Sequence, residues 1–193
     1  MKRKSNLKSW IDRTLKPLCQ LLGSWGVDPN WITAAGVLVT LMVPVTLLQE
    51  KWAAAGGWLL GAGFFDILDG SLARNLGVKR LFGAFWDSTL DRVSEAVVFG
   101  GLLLYYYQHE NQSALLLVFA VCILSLLVPY TRARAEGLGI DCEVGILPRP
   151  GRVVLLALGL FTGQLIPALI LVGVLSLVTV LQRIHRVWTK AKK

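Results

Sequence analysis

The chain has 193 residues and a formal net charge of +8, and 54% of its residues are apolar whereas only 17% are charged. This composition excludes an ordinary soluble domain and is typical of a membrane protein with a single compact bundle. Cys19, Cys122 and Cys142 are widely separated without C-x-x-C spacing, so they predict neither a disulfide framework nor a zinc site.

The N-terminal segment, residues 1–26, is predicted to form an amphipathic helix. Its apolar side chains recur with helical spacing, whereas Lys8, Asp12 and Lys16 fall elsewhere on the helical wheel. Such a helix lies in the cytoplasmic interface of a membrane, and the alternative is a helix that packs on a partner protein. The stretch "GVDPNWIT" ends this helix and begins the first membrane span. We therefore divide the chain into a juxtamembrane helix, residues 1–26, and a transmembrane domain, residues 27–193.

Six further segments approach the roughly 20 apolar residues that a helix needs to cross a bilayer core of about 30 Å. They comprise residues 31–49, 52–76, 82–107, 113–135, 149–162 with its flanks, and 165–184. The fifth segment has the shortest apolar run. The sequence thus predicts an all-α integral membrane protein with six transmembrane helices and an N-terminal amphipathic interfacial helix.

Lysine and arginine in the predicted loops are concentrated on one side of the membrane. They precede the first span, follow the second, separate the fourth from the fifth and follow the sixth, whereas Lys51 lies on the opposite side. Short cytoplasmic loops are enriched in these residues. We therefore expect a multi-pass cell-membrane protein with both termini, and the connection between the second and third spans, on the cytoplasmic side. Because no nucleic-acid recognition motif is present, the positive charge indicates contact with anionic lipid rather than with nucleic acid.

The stretch "DILDGSLARNLGVKRLFGAFWDSTLD" places four aspartates near the membrane edge. Asp66 and Asp69 are three residues apart, and Asp87 and Asp91 are four apart, so each pair projects from one helix face. The connecting loop is short enough for the two faces to meet. Ionised carboxylates there are costly unless they are paired or bound to metal. Oxygen ligands without histidine favour Mg²⁺ or Mn²⁺ over zinc, so the sequence predicts a divalent metal site.

The residues between these acids indicate a phosphate ligand. Gly70 and Gly83 leave room for another molecule beside the backbone. Arg74 offers a planar fork of donors that suits phosphate. A diphosphate held between two metal ions and a guanidinium is the arrangement in which both the attacking and the leaving oxygen of phosphoryl transfer can be stabilised.

The whole pattern, D-x2-D-G-x2-A-R-x8-G-x3-D-x3-D, resembles the signature of the CDP-alcohol phosphatidyltransferase family. The matching positions are Asp66, Asp69, Gly70, Ala73, Arg74, Gly83, Asp87 and Asp91. The resemblance extends to the six-span layout, the amphipathic N-terminal helix and the motif "PNWIT". It implies a homodimeric membrane enzyme in which an alcohol attacks the β-phosphate of CDP-diacylglycerol or another CDP-linked lipid and releases CMP.

The resemblance also implies a role for each matching residue. Asp66, Asp69 and Asp87 would hold the metal ions, with Asp91 also near them. Gly70, Ala73, Arg74 and Gly83 would line the CDP site. Asp91 would be the general base, a role that a carboxylate can fill when it lies within hydrogen-bond reach of the attacking hydroxyl.

The acceptor alcohol is indicated by the run "DSTLDR", which resembles the family branch that uses inositol phosphate. In that branch the positions matching Arg132, Arg149 and Arg152 would bind the acceptor phosphate, and arginine forks suit a phosphomonoester. We therefore expect a phosphorylated polyol as acceptor, inositol 1-phosphate in the first place. Gly151 stands where that branch usually has a glutamate, which leaves glycerol 3-phosphate as the alternative. Each arginine could also be a positive-inside anchor.

An ion-coupled membrane transporter is the alternative from another functional class, since intramembrane carboxylates also mark ion pathways. A transporter predicts acids distributed through the membrane depth, whereas these cluster at one level with glycine and arginine between them. Glu95 continues the face of Asp87 and Asp91 one turn deeper. It is interpreted either as a partner of the metal site or as a protonated, hydrogen-bonded core residue.

Overall fold

The computed structural model describes residues 2–77 and 81–191, with side chains from Trp10 onward, so Lys79 and Arg80 of the predicted cytoplasmic charge lie outside it. The described residues form helices and no strand, which confirms the all-α prediction. The helices are α1 (Lys2–Ser24), α2 (Pro29–Thr40), α3 (Met42–Leu48), α4 (Trp52–Asn75), α5 (Leu81–Gln108), α6 (Gln112–Gly137), α7 (Arg149–Thr162) and α8 (Leu165–Ala191).

Three helical segments are long and apolar enough to cross a membrane: Pro29–Leu48, Gln112–Gly137 and Leu165–Ala191. They identify an α-helical membrane protein. Helices α4 and α5 carry the acidic residues, which lowers their hydropathy, and α7 has only 14 residues. At 1.5 Å per residue α7 is about 21 Å long, which is shorter than a bilayer core.

The first predicted span is broken into α2 and α3 at Leu41. Pro44 explains the break, because a proline ring clashes with the carbonyl four residues earlier and cannot donate a backbone hydrogen bond. That carbonyl belongs to Thr40, the last residue of α2. The bend brings α3 against α5 at Gly101, where a Cβ atom would lie 2.6 Å from the Cβ atom of Pro44. Glycine is therefore required for this close approach of the two helices.

Helix α1 packs with one side on α4. Cys19 of α1 is buried in a cluster with Ile32, Leu68 and Leu72, and Leu15 and Leu22 pack against the same cluster. Other apolar side chains of α1, among them Trp10, Leu18, Leu21 and Trp25, are exposed. The predicted N-terminal helix is thus present, and its apolar residues divide between the bundle and the outer surface.

The arrangement of α2, α4, α5 and α7 forms a cleft that positions the acidic residues. Helix α2 packs against both α4 and α5, and α7 packs against α4. No α carbon of α4 comes within 8 Å of one of α5 in the part of the chain described. The acids of the two helices therefore face each other across the gap between the two backbones, at the end of the bundle where α4 ends and α5 begins.

Candidate active site

Three carboxylates form a compact cluster in the cleft. Asp66 and Asp69 come from successive turns of α4, and Asp87 comes from α5 across the gap. One ligand oxygen from each lies within 4.8 Å of the others. Two oxygens on opposite sides of a Mg²⁺ ion are about 4.2 Å apart. Small side-chain movements would therefore let all three residues share one ion.

The burial of this cluster fits a divalent cation. Asp69 is only 5% exposed. Within the described residues, Asp69 Oδ2 and Asp87 Oδ1 are buried and have no hydrogen-bond partner. A buried carboxylate oxygen without a partner carries a desolvation cost that a hard cation relieves. An all-oxygen donor set is the kind that Mg²⁺ and Mn²⁺ prefer, so these residues can hold such an ion.

Asp91 lies outside this cluster and is paired with an arginine of α7. Arg149 Nη1 is 2.6 Å from Asp91 Oδ1 and 2.7 Å from Asp66 Oδ1. One guanidinium group thus joins the predicted general base on α5 to a predicted metal ligand on α4. A guanidinium beside two carboxylates stabilises the ionised form of both.

A pocket of about 430 Å³ adjoins the cluster. Asp69 and Asp87 line it together with the predicted CDP-binding residues Gly70, Ala73, Arg74 and Gly83. The structure therefore brings all four predicted nucleotide-site residues, three from α4 and one from α5, to one pocket beside the carboxylate cluster.

The start of α2 also lines this pocket, which the sequence analysis did not assign to the site. Asp28, Pro29, Asn30 and Thr33 contribute to the wall. Asp28 accepts a hydrogen bond from the backbone N–H of Asn30 at 2.9 Å and so caps the helix, with Pro29 in the first turn. Helix N-termini attract anions because their first N–H groups point outward. The sequence signal was the cap itself: an aspartate followed by a proline at the start of a helix.

A smaller cavity of about 50 Å³ extends from the cluster into the bundle. Asp66, Asp69 and Asp91 line it together with Arg149 and Arg152. Two of the three predicted acceptor-binding arginines therefore reach the site.

Arg132 is placed differently from the other two arginines. Its Nε atom donates to Glu136 at 2.7 Å, its side chain is 46% exposed, and it does not line the inner cavity. The three arginines are therefore not gathered into one phosphate-binding group among the described residues.

Gly151 lies against Leu147, whose Cδ1 atom would be 2.9 Å from an added Cβ atom. A larger residue at this position would require Leu147 to move.

Arg152 and Glu95 form a buried ion pair. Arg152 is 3% exposed, and its Nε atom donates to Glu95 Oε1 at 3.2 Å while its Nη2 atom donates to the same oxygen. Arg92 lies on the other side of the carboxylate, with Nη1 3.5 Å from Glu95 Oε2. Glu95 is therefore held between two guanidinium groups inside the bundle.

Arg183 of α8 is a second residue that the sequence analysis did not assign to the site. It is 7% exposed, and it donates to the carbonyl oxygen of Val144 at 2.9 Å and to that of Val128. Thr179, one turn earlier, accepts from the backbone N–H of Leu147 at 3.2 Å. Together these residues hold the loop that leads into α7 and so position Arg149. The sequence signal was an arginine within an apolar helix.

Comparison with known proteins agrees with this geometry. A sequence profile described as CDP-alcohol phosphatidyltransferase matches residues 27–187. The archaetidylinositol phosphate synthase of Methanothermobacter thermautotrophicus is 34% identical over 188 residues, covering 94% of this chain and 92% of that protein. The phosphatidylinositol phosphate synthase of Mycobacteroides abscessus is 33% identical over 184 residues, covering 90% of this chain and 83% of that protein.

Solved structures show the same similarity in three dimensions. The crystal structure of Mycobacterium tuberculosis phosphatidylinositol phosphate synthase with CDP-DAG bound has a TM-score of 0.83 at 29% sequence identity, covering 92% of this chain and 94% of that chain. The structure of that protein in complex with manganese and citrate has a TM-score of 0.80, covering 90% and 88%. The similarity thus extends over nearly the whole of both chains.

Proposed function

This chain belongs to the CDP-alcohol phosphatidyltransferase family, a family of transferases, and we propose that it joins the phosphatidyl group of CDP-diacylglycerol, or of a CDP-linked ether lipid, to inositol 1-phosphate. The reaction releases CMP and makes a phospholipid phosphomonoester. The observation that carries the proposal is the carboxylate cluster of Asp66, Asp69 and Asp87, which opens onto a pocket lined by the four predicted nucleotide-site residues.

We assign Mg²⁺ as the cation, with Mn²⁺ as an alternative, because the donor set consists of carboxylate oxygens. Asp66, Asp69 and Asp87 would hold it, with Asp91 nearby. When bound, the cation neutralises charge on the lipid diphosphate and on the departing CMP. Gly70, Ala73, Arg74 and Gly83 would hold the nucleotide end of the lipid.

Asp91 is the proposed proton acceptor. A hydroxyl oxygen of the acceptor forms a bond to the β-phosphorus, the bond from that phosphorus to the oxygen of CMP breaks, and the hydroxyl proton passes to an Asp91 carboxylate oxygen. In the present structure Arg149 occupies that carboxylate at 2.6 Å. An acceptor phosphate that pairs with Arg149 would release Asp91 for proton transfer, so binding of the correct acceptor would prepare the base.

Inositol 1-phosphate is favoured by two observations. Arg149 lines the inner cavity beside Asp91, where its guanidinium can meet a phosphomonoester. Arg152 lines the same cavity and would have to leave Glu95 to take part. The two enzymes named above, 34% and 33% identical to this chain, are inositol-phosphate-type synthases by name. We include Arg132 as a third acceptor residue, which would have to leave Glu136 to take part.

We further propose six membrane spans, in which α4, α5 and α7 with its flanks cross the bilayer beside the three apolar helices. Both termini and the carboxylate cluster would face the cytoplasm, residues 1–26 would form the juxtamembrane helix, and the protein would be a homodimer. A fluorescent-protein fusion at the C-terminus should be bright, whereas alkaline phosphatase inserted between α5 and α6 should be active. The reverse pattern would overturn the orientation. Cross-linking in membranes tests the dimer.

The central test measures CMP release from CDP-diacylglycerol by purified protein in nanodiscs. Inositol 1-phosphate, glycerol 3-phosphate, free inositol and serine are supplied separately, with Mg²⁺, with Mn²⁺ or with EDTA. We expect metal-dependent release with inositol 1-phosphate. A preference for glycerol 3-phosphate would change only the acceptor assigned to the enzyme. No CMP release with any acceptor would refute the proposed reaction.

Asp91→Asn tests the proposed proton acceptor in the same assay. It should bind CDP-diacylglycerol but release no CMP, because the amide cannot take up the proton. Glu110→Gln is the matched control, since Glu110 is an exposed acid in the turn between α5 and α6 and should leave turnover unchanged. Normal CMP release by Asp91→Asn would remove Asp91 from this role.

A further inference from the structure

An acid of α1 contacts the nucleotide-site arginine. Arg74 Nη2 lies 2.6 Å from Asp12 Oδ1, and Arg74 Nε lies 3.1 Å from Asp12 Oδ2. Ser71 Oγ, which is fully buried, donates to Asp12 Oδ1 at 2.8 Å and accepts from Arg74 Nη2 at 3.2 Å. The carboxylate therefore binds one edge of the guanidinium and a hydroxyl group of the same helix.

Asp12 lies on the side of α1 that faces the bundle. It is followed at helical spacing by Leu15, Cys19 and Leu22, which all belong to the contact with α4. A carboxylate in this row of apolar side chains is costly unless it meets donors. Its partners are the Ser71 hydroxyl and the Arg74 guanidinium, so the position of α1 on the bundle determines where this charge sits.

The contact leaves a defined part of Arg74 for a ligand. Nε and Nη2 face Asp12, whereas Nη1 lies over Gly70, 3.1 Å from where a Cβ atom of that residue would be. Nη1 makes no hydrogen bond within the described residues, and both Gly70 and Arg74 line the 430 Å³ pocket. Because the Asp12 carboxylate holds Nε and Nη2, the two N–H groups of Nη1 remain available to a ligand in the pocket.

We propose that Asp12 is a positioning residue for the CDP-lipid site: by holding one edge of Arg74, it keeps Nη1 aimed at the phosphate of the bound nucleotide. The inference rests on the proposed function, since it needs a CDP-lipid in that pocket. It makes the juxtamembrane helix a part of the substrate site rather than an anchor alone. A fixed guanidinium loses less rotamer freedom on binding than a free one, so Asp12 raises substrate affinity.

Asp12 could in principle have the opposite effect and lower the affinity for the CDP-lipid. If Asp12 competed with the lipid phosphate for Arg74, its removal would strengthen binding. The side-chain exposures of 41% for Arg74 and 27% for Asp12 limit the size of either effect. Half-exposed ion pairs contribute up to about 1 kcal/mol, which corresponds to roughly a fivefold change in affinity.

The test compares Asp12→Ala with wild type by direct CDP-diacylglycerol binding and by steady-state kinetics in nanodiscs. We expect Asp12→Ala to weaken binding and to raise KM for CDP-diacylglycerol by up to about fivefold, with kcat within about twofold of wild type. Asp12→Glu should recover most of the affinity because it keeps the carboxylate. Lys16→Ala, an exposed position on the same helix, is the matched control and should leave KM unchanged.

A double-mutant cycle with Arg74→Ala separates positioning from a structural role. If Asp12 acts through Arg74, Asp12→Ala should add nothing to the KM of the Arg74→Ala protein. Multiplicative effects, a fall in KM, or a loss of thermal stability with unchanged KM would each overturn the inference. Because binding is measured without turnover, a wild-type protein that binds CDP-diacylglycerol but releases no CMP would refute the proposed reaction while still testing Asp12.

Discussion

Arg152 is the residue for which the family resemblance and the structure predict different outcomes. The resemblance implies that it binds the acceptor phosphate, whereas the structure pairs it with Glu95 at 3% exposure. Removing one partner of a buried ion pair leaves the other charge uncompensated and typically costs about 3–5 kcal/mol. Arg92 stays near Glu95, at 3.5 Å, so we expect Arg152→Met to cost the lower value, about 3 kcal/mol.

The expected loss is large enough to measure by thermal unfolding. For a protein of this size 1 kcal/mol shifts Tm by about 2–4 °C, so Arg152→Met should lower Tm by roughly 6–12 °C. The double variant Glu95→Met with Arg152→Met removes both charges and should return to within about 1 kcal/mol of wild type. Arg132→Met is the matched control, because its pair with Glu136 is nearly half exposed and should contribute less than about 1 kcal/mol.

The assay is intrinsic tryptophan fluorescence during heating of the protein in nanodiscs, combined with KM for inositol 1-phosphate. A variant Arg152→Met with a wild-type Tm and a raised acceptor KM would refute the structural role and assign Arg152 to acceptor binding. A lowered Tm that the double variant does not recover would refute the ion-pair argument, since the loss would then come from packing alone.

Three further predictions follow from individual contacts. Mn²⁺ should raise the Tm of the wild-type protein, and Asp69→Asn should abolish this rise. The variant should not lower Tm in EDTA, because it removes a buried charge whose Oδ2 atom has no partner within the described residues. A retained Mn²⁺ response would exclude Asp69 as a ligand. Gly101→Ala should destabilise the protein by about 1–3 kcal/mol, because the added methyl group would contact Pro44. Gly100→Ala is the control: nothing lies within 4 Å of its added Cβ atom, so it should be neutral or stabilising. Equal Tm values for the two variants would contradict the close approach of α3 and α5. Arg183→Met should lower both kcat and Tm, because it removes the hydrogen bonds that hold the loop before α7. A normal kcat at a reduced Tm would show that this loop does not position the site.

Much of the site could be predicted from the sequence because the relevant geometry is local. Residues three or four positions apart on a helix share a face, so the spacing of Asp66 and Asp69 already placed their carboxylates together. The same reasoning put Gly70 and Arg74 beside them. In the structure Asp69, Gly70 and Arg74 line the same 430 Å³ pocket.

The contacts between helices were not available from spacing. Asp66, Asp69 and Asp87 form the cluster, and Asp91 lies beside it, paired with Arg149, which is 58 positions further along the chain. The three arginines expected to bind the acceptor phosphate have partners that spacing did not indicate. Arg152 pairs with Glu95 of another helix, and Arg132 pairs with Glu136 of its own helix. The ion-pair partner of an arginine depends on which helix faces it, and a sequence pattern does not specify that.

By itself, the sequence determined the helical fold class, the acidic motif and the kind of ligand the motif suits, because helix periodicity and ligand chemistry depend on neighbouring residues. Only the tertiary structure decided that α4 and α5 stay apart, that Arg149 bridges Asp66 and Asp91, and that Asp12 reaches Arg74 across 62 positions. These contacts depend on how helices cross and on which side chains fill the space between them. That packing is a property of the whole bundle and not of any single segment.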